Sequence, residues 1–321
     1  MDRQLSLEFA RITEQAALKS ARLVGLGDKE GADQAAVDGM HEQFALTPVS
    51  GTVVIGEGEI DEAPMLYIGE HVGQGGEEVD IAVDPVEGTN LVAKGKNGAI
   101  AVLAIAPKGC LLHAPDMYMQ KICVGPRAKG RIDIRASVTE NLKNVADAMG
   151  REVSDLTMVI LDRERHEKII REAREAGARV YLITDGDVVP SVDCGIQGSG
   201  IHMVMASGGA PEGVLSAVGL KCLGGDMQAR LLPQTEQEIQ RLHTMGIDDP
   251  NKVLTLDDLV KGDDCIFAET AITDCAMLRG VRFFGGGART STLVLRYKTG
   301  TVRFIDTVHR FGEDKPGVRM F

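Results

Sequence analysis

Residues 79–90 read VDIAVDPVEGTN, an apolar run that ends in two carboxylates, a proline and a glycine. The first five residues predict a buried strand, and Pro85 restricts the backbone before it, which holds the Asp84 side chain in place. Asp84 and Glu87 can then face one point beyond the strand. Two adjacent carboxylates repel unless one is protonated or both bind a cation. Taken alone, the segment is equally compatible with a metal site and with the polar turn that often follows a strand.

The residues around this corner add to the metal interpretation. Gly88 permits a left-handed or closely approached backbone whose amides can face an anion, and Thr89 has a hydroxyl that can orient a water or contact a phosphate. A second loop, GEGEIDEAP at 56–64, follows another short apolar strand and contains Glu57, Glu59, Asp61 and Glu62. A solvated loop is the usual form of such an acidic run. If the two strand ends converge, however, their oxygens suit hard cations such as Mg2+ or Mn2+.

The composition limits the classes of partner. The chain has 321 residues and a net charge of −12, which opposes nucleic acid and an anionic membrane as main partners. It has no Trp and 4% aromatic residues, too few for base stacking. Six cysteines lie at no CxxC spacing and are expected to be buried in a reducing compartment. Because the N-terminus lacks a signal-peptide core and no apolar run reaches a membrane span, we expect a cytoplasmic protein.

Hydrophobic periodicity predicts two halves with different element orders. The first half, 1–152, has two helices (4–24 and 30–46), then strands at 52–56, 79–83 and 98–106, and a closing helix at 139–150. The second half, 153–321, alternates strands (157–161, 179–184, 202–207) with helices (162–177 and from 210), which predicts parallel pairing. Short strands follow from 265 to 306, and their lobe membership stays open. Stacked layers in two lobes, of mixed α/β class, are expected.

The pairing of GEGEID (56–61) with DPVEGTN (84–90) resembles the class II fructose-1,6-bisphosphatases, within the lithium-sensitive, metal-dependent sugar and inositol phosphatase superfamily. The likeness continues through LDRERH (161–166), TDGD (184–187) and GGAPEG (208–213) to the final strands. It implies a two-lobe α-β-α-β-α sandwich of the sugar phosphatase type. It also implies removal of the 1-phosphate of fructose 1,6-bisphosphate, a step of gluconeogenesis, and a homo-oligomer, either a dimer or a tetramer.

The resemblance also implies a set of site residues. The metal ligands, for Mn2+ or Mg2+ at two or more sites, fall on Asp33, Glu57, Asp84, Glu87 and Glu212. Thr89 matches a threonine that positions the attacking water, and Asp61 and Glu57 complete the catalytic group. The substrate contacts fall on Glu87, Gly88, Thr89, Tyr118, Arg163, Glu164, Arg165, Asp185, Gly186, Asp187 and Gly209. Most metal ligands thus lie in the first half, and the sugar and second-phosphate contacts lie mainly in the second.

Read without the resemblance, several of these residues have ordinary explanations. Arg163 and Arg165 open a helix and could hold a second phosphate, whereas their charge pattern is more typical of solvent-facing helix residues. Glu212 at a helix start commonly just complements the dipole. Asp33 would be a surface helix residue, and Tyr118 a partly buried aromatic. Asp185-Gly186-Asp187 could accept hydrogen bonds from sugar hydroxyls, but alone is a turn signal.

Other motifs and functions are less favoured. FFGGGARTST (283–292) lacks the ending of a phosphate loop and predicts a hairpin turn, and GIQGSG (195–200) does not complete a dinucleotide fingerprint. Sedoheptulose 1,7-bisphosphate remains open as a second or alternative substrate. An inositol monophosphatase is disfavoured because Arg163-Glu164-Arg165 offers a second phosphate site. A non-catalytic sugar-phosphate-binding regulator is opposed by the five carboxylates and Thr89.

Overall fold

The computed structural model describes residues 1–58, 63–244, 247, 249 and 251–312. The chain forms two compact units, each with its own sheet and its own apolar core. The first unit combines residues 1–110 with the chain from 263 onward, and the second is the continuous segment 111–262. Within the described residues, no helix has both the length and the apolar character that crossing a bilayer requires.

The first 110 residues begin with two helices and continue with most of a sheet. Asp28 caps the second helix by accepting a hydrogen bond from the Gly31 amide at 2.9 Å, which satisfies one of the unpaired N–H groups of the first turn. The elements are α1 (Leu5–Ser20), α2 (Lys29–Phe44), β1 (Val49–Ile55), β2 (His71–Val72), β3 (Glu77–Glu87), α3 (Thr89–Ala93) and β4 (Ile100–Pro107).

The segment 111–262 contains the second sheet and the helices that cover it. Its ends are adjacent, because Leu111 bridges Val260 and the Leu112 amide donates to the Leu259 carbonyl at 2.9 Å. The elements are β5 (Tyr118–Val124), α4 (Val138–Met149), β6 (Thr157–Leu161), α5 (Glu167–Glu175), β7 (Arg179–Ile183), α6 (Val188–Asp193), β8 (Met203–Gly209), α7 (Ala210–Leu223), β9 (Asp226–Leu231), α8 (Glu236–Thr244), β10 (Leu254–Thr255) and α9 (Leu256–Leu259).

The chain then returns to the first unit and completes its sheet. The last strands are β11 (Ile266–Ala271), β12 (Arg282–Phe284), β13 (Gly287–Arg296) and β14 (Thr301–Arg310). The first sheet has the order β12-β13-β11-β4-β3-β1-β2, with β14 also paired to β13. The second has the order β10-β9-β5-β8-β6-β7. Because β11 is hydrogen-bonded to β4, the strands after 263 belong with the N-terminal segment, which differs from a division of the chain at 152/153.

The mixed α/β class predicted from the sequence is confirmed, and so are most individual elements. The 157–161 strand has the predicted bounds, and β6 pairs in parallel with β7 and β8. The glycine-rich stretch after Phe284 is the predicted hairpin turn, with Phe284 paired to Gly287 and Gly286 at φ +78°. The predicted helix at 162–177 is shorter, because residues 164–166 form a 3-10 turn before α5.

Candidate functional site

The ends of β1 and β3 in the first unit each lie close to an acidic residue at one edge of the sheet. β1 and β3 are parallel neighbours, and Ile55 pairs with Ala82. Glu57 and Asp84 therefore each lie two residues beyond the same pair, on adjacent strands that run in the same direction. Parallel strands deliver their carboxyl ends to one edge of a sheet. The register of β1 and β3 thus brings Glu57 and Asp84 to the same edge, whereas Asp61 lies outside the described residues.

Helix α2 brings a further carboxylate to this edge. The side chains of Asp33 and Glu57 are joined by a hydrogen bond, so one of the two carries a proton in the absence of a cation. Burial raises the pKa of Glu57 to about 8, and the nearby Asp33 adds to the increase. Burial also raises the pKa of Asp33. A divalent cation can bind two carboxyls held this close if it displaces the proton that they share.

The end of β3 contributes two more oxygens. Asp84 and Glu87 offer ligand atoms within 4.8 Å of each other, and Glu87 is buried. The Val86 amide donates to Oδ1 of Asp84 at 3.0 Å, which orients that carboxylate. The pairing of β3 with β4 shifts register between Asp84 and Glu87, and Pro85, which has no N–H to donate, sits within this irregularity. The strand thus continues to Glu87, beyond residue 83 at which the sequence predicted its end.

The chain leaves this corner through a glycine in a left-handed conformation. Gly88 has φ +90° and ψ +44°, a region that side-chain-bearing residues rarely adopt. Thr89 follows as the first residue of α3, and its hydroxyl lies 3.5 Å from the Val86 carbonyl, a long contact. Thr89 is separated from Glu87 by Gly88 alone and follows Asp84 by five residues. This corner fits a hard cation, because its predicted donors are all carboxylates, with no imidazole or thiolate among them.

The second unit has a buried charge cluster. Lys121 in β5 is fully buried and its Nζ donates to Oδ1 of Asp187 at 2.8 Å. Burial alone would lower the pKa of Lys121, but the charges of Asp187 and Glu212 outweigh it and raise that pKa. Burial raises the pKa of Glu212 more than Lys121 lowers it. Within the described part of the chain, Oε2 of Glu212 is buried and receives no hydrogen bond, as expected of an oxygen that binds a cation.

Two glycines make room for these carboxylates. A Cβ added at Gly209 would lie 1.9 Å from Oε2 of Glu212, and one at Gly208 would lie 2.6 Å from Oδ2 of Asp187. Any side chain at either position would therefore displace a carboxylate or the strand. At Gly209 β8 ends, and α7 begins at the next residue, so the missing side chain leaves room for the Glu212 carboxylate.

The arginine-containing turn after β6 is fixed by hydrogen bonds. Arg165 donates through Nε and Nη2 to the Ser207 carbonyl, at 3.1 and 2.7 Å, and its guanidinium lies 5.0 Å from the centre of the Tyr118 ring. His166 is buried beside it. Its Nδ1 donates to the Leu161 carbonyl, and its Nε2 accepts from the Ser207 amide at 2.9 Å. Burial lowers the pKa of His166, so the ring is neutral and holds Ser207 where Arg165 binds it.

The remaining predicted contacts lie on two neighbouring loops. Arg163 donates to the carbonyls of Asp162 and Thr184, at 3.0 and 2.7 Å, and so connects the turn after β6 to the turn after β7. Gly186 has φ +78°, which places Asp185 and Asp187 on either side of a left-handed residue. These side chains all follow the carboxyl ends of parallel strands, the usual location of ligand sites in such sheets.

Comparison with known proteins identifies the chain. Residues 3–309 match the family described as "Bacterial fructose-1,6-bisphosphatase, glpX-encoded". A D-fructose 1,6-bisphosphatase class 2/sedoheptulose 1,7-bisphosphatase of Synechococcus sp. (strain JA-2-3B'a(2-13)) is 50% identical, over all of both chains. The protein with the same description from Crocosphaera subtropica is 48% identical over 96% of this chain and 97% of that one. The chain belongs to the glpX-encoded bacterial fructose-1,6-bisphosphatase family.

Two residues of this bisphosphatase family member were not found from the sequence. Lys121 lies in β5, a strand that the hydrophobic pattern did not predict, and His166 was treated as part of a charged helix. A single charge within the apolar run at 117–124, MYMQKICV, was the available signal for a buried, paired lysine. For His166 the signal is weaker, since its burial depends on contacts with Ser207, which is remote in the sequence.

Proposed function

We propose that the protein is a phosphatase that hydrolyses the 1-phosphate of fructose 1,6-bisphosphate to fructose 6-phosphate and inorganic phosphate. The parallel pairing of β1 and β3 carries this proposal, because it brings Glu57 and Asp84 to one sheet edge. The family match over 3–309 gives the reaction class, a phosphoric monoester hydrolase. The enzyme is proposed to act in gluconeogenesis, as its substrate and product imply.

Five carboxylates are proposed to bind the divalent cations. Mn2+ or Mg2+, at two or more sites, would be held by Asp33, Glu57, Asp84, Glu87 and Glu212. A divalent cation supplies charge that neutralises phosphate oxygens and lowers the pKa of a coordinated water. Thr89 would orient the attacking water through its hydroxyl, and Asp61 would assist. The amides of Gly88 and Thr89 would receive the phosphate oxygens of the substrate.

The second unit would bind the rest of the substrate. Arg165 uses Nε and Nη2 for the Ser207 carbonyl, so its Nη1 is directed elsewhere and can meet a phosphate. Tyr118 stacks on the same guanidinium and limits its motion. Arg163, Glu164, Asp185, Gly186, Asp187 and Gly209 complete the proposed sugar and second-phosphate contacts. Because the Arg165 guanidinium offers a place for a second phosphate, a bisphosphate is favoured over an inositol monophosphate as the substrate.

We also propose that sedoheptulose 1,7-bisphosphate is a substrate. The similar proteins from Synechococcus sp. and Crocosphaera subtropica carry both activities in their names. Both sugars present a terminal phosphate for hydrolysis and a second phosphate at the far end, and they differ in chain length. The measured ratio of kcat/KM for the two sugars would determine whether one or both are substrates.

The decisive experiment measures phosphate release by the purified protein with Mn2+, with Mg2+ and after chelation. We expect metal-dependent release from the two bisphosphates and none from inositol 1-phosphate. Thr89→Ala and Asp84→Asn should each lower kcat at least about 100-fold, with an unchanged circular dichroism spectrum. Thr299→Ala, in an exposed turn of the first unit, is the matched control and should retain full activity. Cation binding without phosphate release from any sugar would instead favour a binding protein.

We also propose an assembly state and a cellular location. A homo-oligomer, dimer or tetramer, is supported by the exposed apolar side chains of the edge strand β14, namely Val302, Phe304 and Val308. Light scattering on the wild type and on Phe304→Lys would measure the assembly. A cytoplasmic location is supported by six cysteines that are all free thiols.

A further inference from the structure

The second unit contains a cavity of about 540 Å³ at the opposite edge of its sheet from the proposed sugar contacts. Thr157 and Arg179, the first residues of β6 and β7, pair at this edge. Arg165 and Asp187 follow the other ends of the same strands. The cavity wall includes the glycine-rich segment GIQGSG (195–200), which the proposed reaction does not use.

The wall is rich in cationic and hydrogen-bond-donating groups. Arg127, Arg151, Arg179 and His202 all line the cavity. Arg179 is committed to the fold, because its guanidinium donates to Thr157 Oγ1 and to the carbonyls of Ser154 and Asp155. Arg151 differs, since within the described residues its guanidinium meets the His202 ring and no carbonyl or carboxylate oxygen.

The contact between Arg151 and His202 places two donors against each other. The Thr157 amide donates to Nδ1 of His202 at 2.9 Å, so Nδ1 carries no hydrogen. Burial, together with the charges of Arg151 and Arg179, lowers the pKa of His202 and keeps the ring neutral. A neutral imidazole with an accepting Nδ1 has its hydrogen on Nε2. That N–H lies 3.0 Å from Nη1 of Arg151, which is also a donor, and so both require an acceptor.

We infer that this cavity binds a small organic phosphate, whose oxygens accept from Nη1 of Arg151 and from Nε2 of His202. A phosphate dianion suits two convergent donors, one of them a guanidinium. The volume exceeds what inorganic phosphate fills and lies in the range of small-molecule pockets. Ile196 and Ile201 give the wall an apolar part against which the organic group can pack. The cavity lies at the other ends of β6 and β7 from Arg165 and Asp187, and it is inferred independently of the proposed phosphatase activity.

Phenylphosphonate is a suitable probe, because it combines a dianion with an apolar ring and has no ester bond to hydrolyse. Its binding to the full-length protein, freed of metal by chelation at pH 8, would be measured by isothermal titration calorimetry. We expect Arg151→Met to weaken binding at least about tenfold, which is about 1.4 kcal/mol. Arg171→Met removes the same charge from the exposed face of α5, outside the cavity, and should leave the affinity unchanged.

Further measurements locate the bound probe and test which of its groups the cavity recognises. Arg165→Met should leave phenylphosphonate binding intact, and the Hε1 resonance of His202, assigned with His202→Gln, should shift on titration. Benzoate and inorganic phosphate should both bind more weakly than phenylphosphonate. The inference is overturned if the wild type does not bind the probe at millimolar concentration, or if Arg165→Met abolishes binding while Arg151→Met does not. Because no turnover is measured, these outcomes are independent of the proposed phosphatase activity.

Discussion

Asp193 is a buried carboxyl whose contribution to the free energy of unfolding depends on pH. It lies at the end of α6 with about 1% of its surface exposed, and neither oxygen receives a hydrogen bond within the described residues. Burial raises its pKa to about 7 from an ordinary value of 3.8. The folded state therefore binds this proton more tightly than the unfolded state does. The stability that this provides is fully present below about pH 4 and is lost as the pH rises through about 7.

Asp193→Asn should remove this pH dependence. The variant should be more stable than the wild type at pH 8, by up to about 4 kcal/mol, and the difference should vanish near pH 4. Urea denaturation at pH 4, 6 and 8 gives the free energies of unfolding. Asp263→Asn, at an exposed position, should follow the wild type at every pH. Equal wild-type and Asp193→Asn stabilities at pH 8 would show that Asp193 has a partner that neutralises it.

Lys121 and Lys108 allow a buried and an exposed ion pair to be compared in one protein. Lys121 pairs with Asp187 in the core, whereas Lys108 pairs with Glu78 at 2.7 Å on the surface. Lys121→Met leaves Asp187 and Glu212 buried without their cation, so we expect a loss of about 3–5 kcal/mol of unfolding free energy. Lys108→Met should produce no measurable change.

The double variant Lys121→Met with Asp187→Asn tests the origin of that loss. Removing the charges of Lys121 and Asp187 together should recover part of the stability, since one of the two uncompensated carboxylates is then absent and only Glu212 remains. Chemical denaturation at neutral pH measures all three variants. The free energy of unfolding of Lys121→Met could also lie within about 1 kcal/mol of the wild-type value. Asp187 and Glu212 would then not need the lysine in order to be buried.

At the scale of elements, α2 and β1 set up a competition between a proton and the proposed cation. Because the pKa of Glu57 is raised to about 8 by burial and by Asp33, the pair retains one proton below that pH. A cation must displace it, so Mg2+ affinity should rise by up to about tenfold per pH unit between pH 6 and 8 and then level off. Calorimetry in two buffers of different ionisation enthalpy counts the released proton.

Two variants test whether the released proton comes from Glu57. Glu57→Gln has no carboxyl proton at this position, so its remaining Mg2+ affinity should vary little over the same pH range. Glu42→Gln, at the exposed far end of α2, removes an equal charge and should behave as the wild type. A wild-type Mg2+ affinity that stays constant from pH 6 to 8 would contradict proton displacement.

Sequence reasoning worked best for elements with one dominant signal. The strand β6 is a continuous apolar run and was predicted with its observed bounds. The strand β5 was missed, because Lys121 interrupts its apolar residues and only pairing with Asp187 makes that charge compatible with burial. Asp33 carried no signal within its helix. Its hydrogen bond to Glu57 depends on how α2 packs against β3, which local sequence does not encode.

At the scale of the molecule, the two ends of the chain could not be grouped from sequence. Strands such as β11 have the same alternation and length whichever sheet they join, and partner choice depends on contacts remote in sequence. The structure pairs β11 with β4 across the whole inserted segment. The segment 111–262 thus begins and ends at neighbouring positions, as the bridge between Leu111 and Val260 shows.

This connectivity predicts which fragments fold. The segment 111–262 has a complete sheet and its own apolar core, so when expressed alone it should unfold cooperatively, with a free energy within the usual range of about 5–15 kcal/mol. Residues 1–110 alone should not fold, because β4 would lack β11 and expose an unpaired apolar edge. Urea titrations followed by circular dichroism compare the two. Cooperative folding of 1–110 would mean that its helices and four strands stabilise each other without the C-terminal strands.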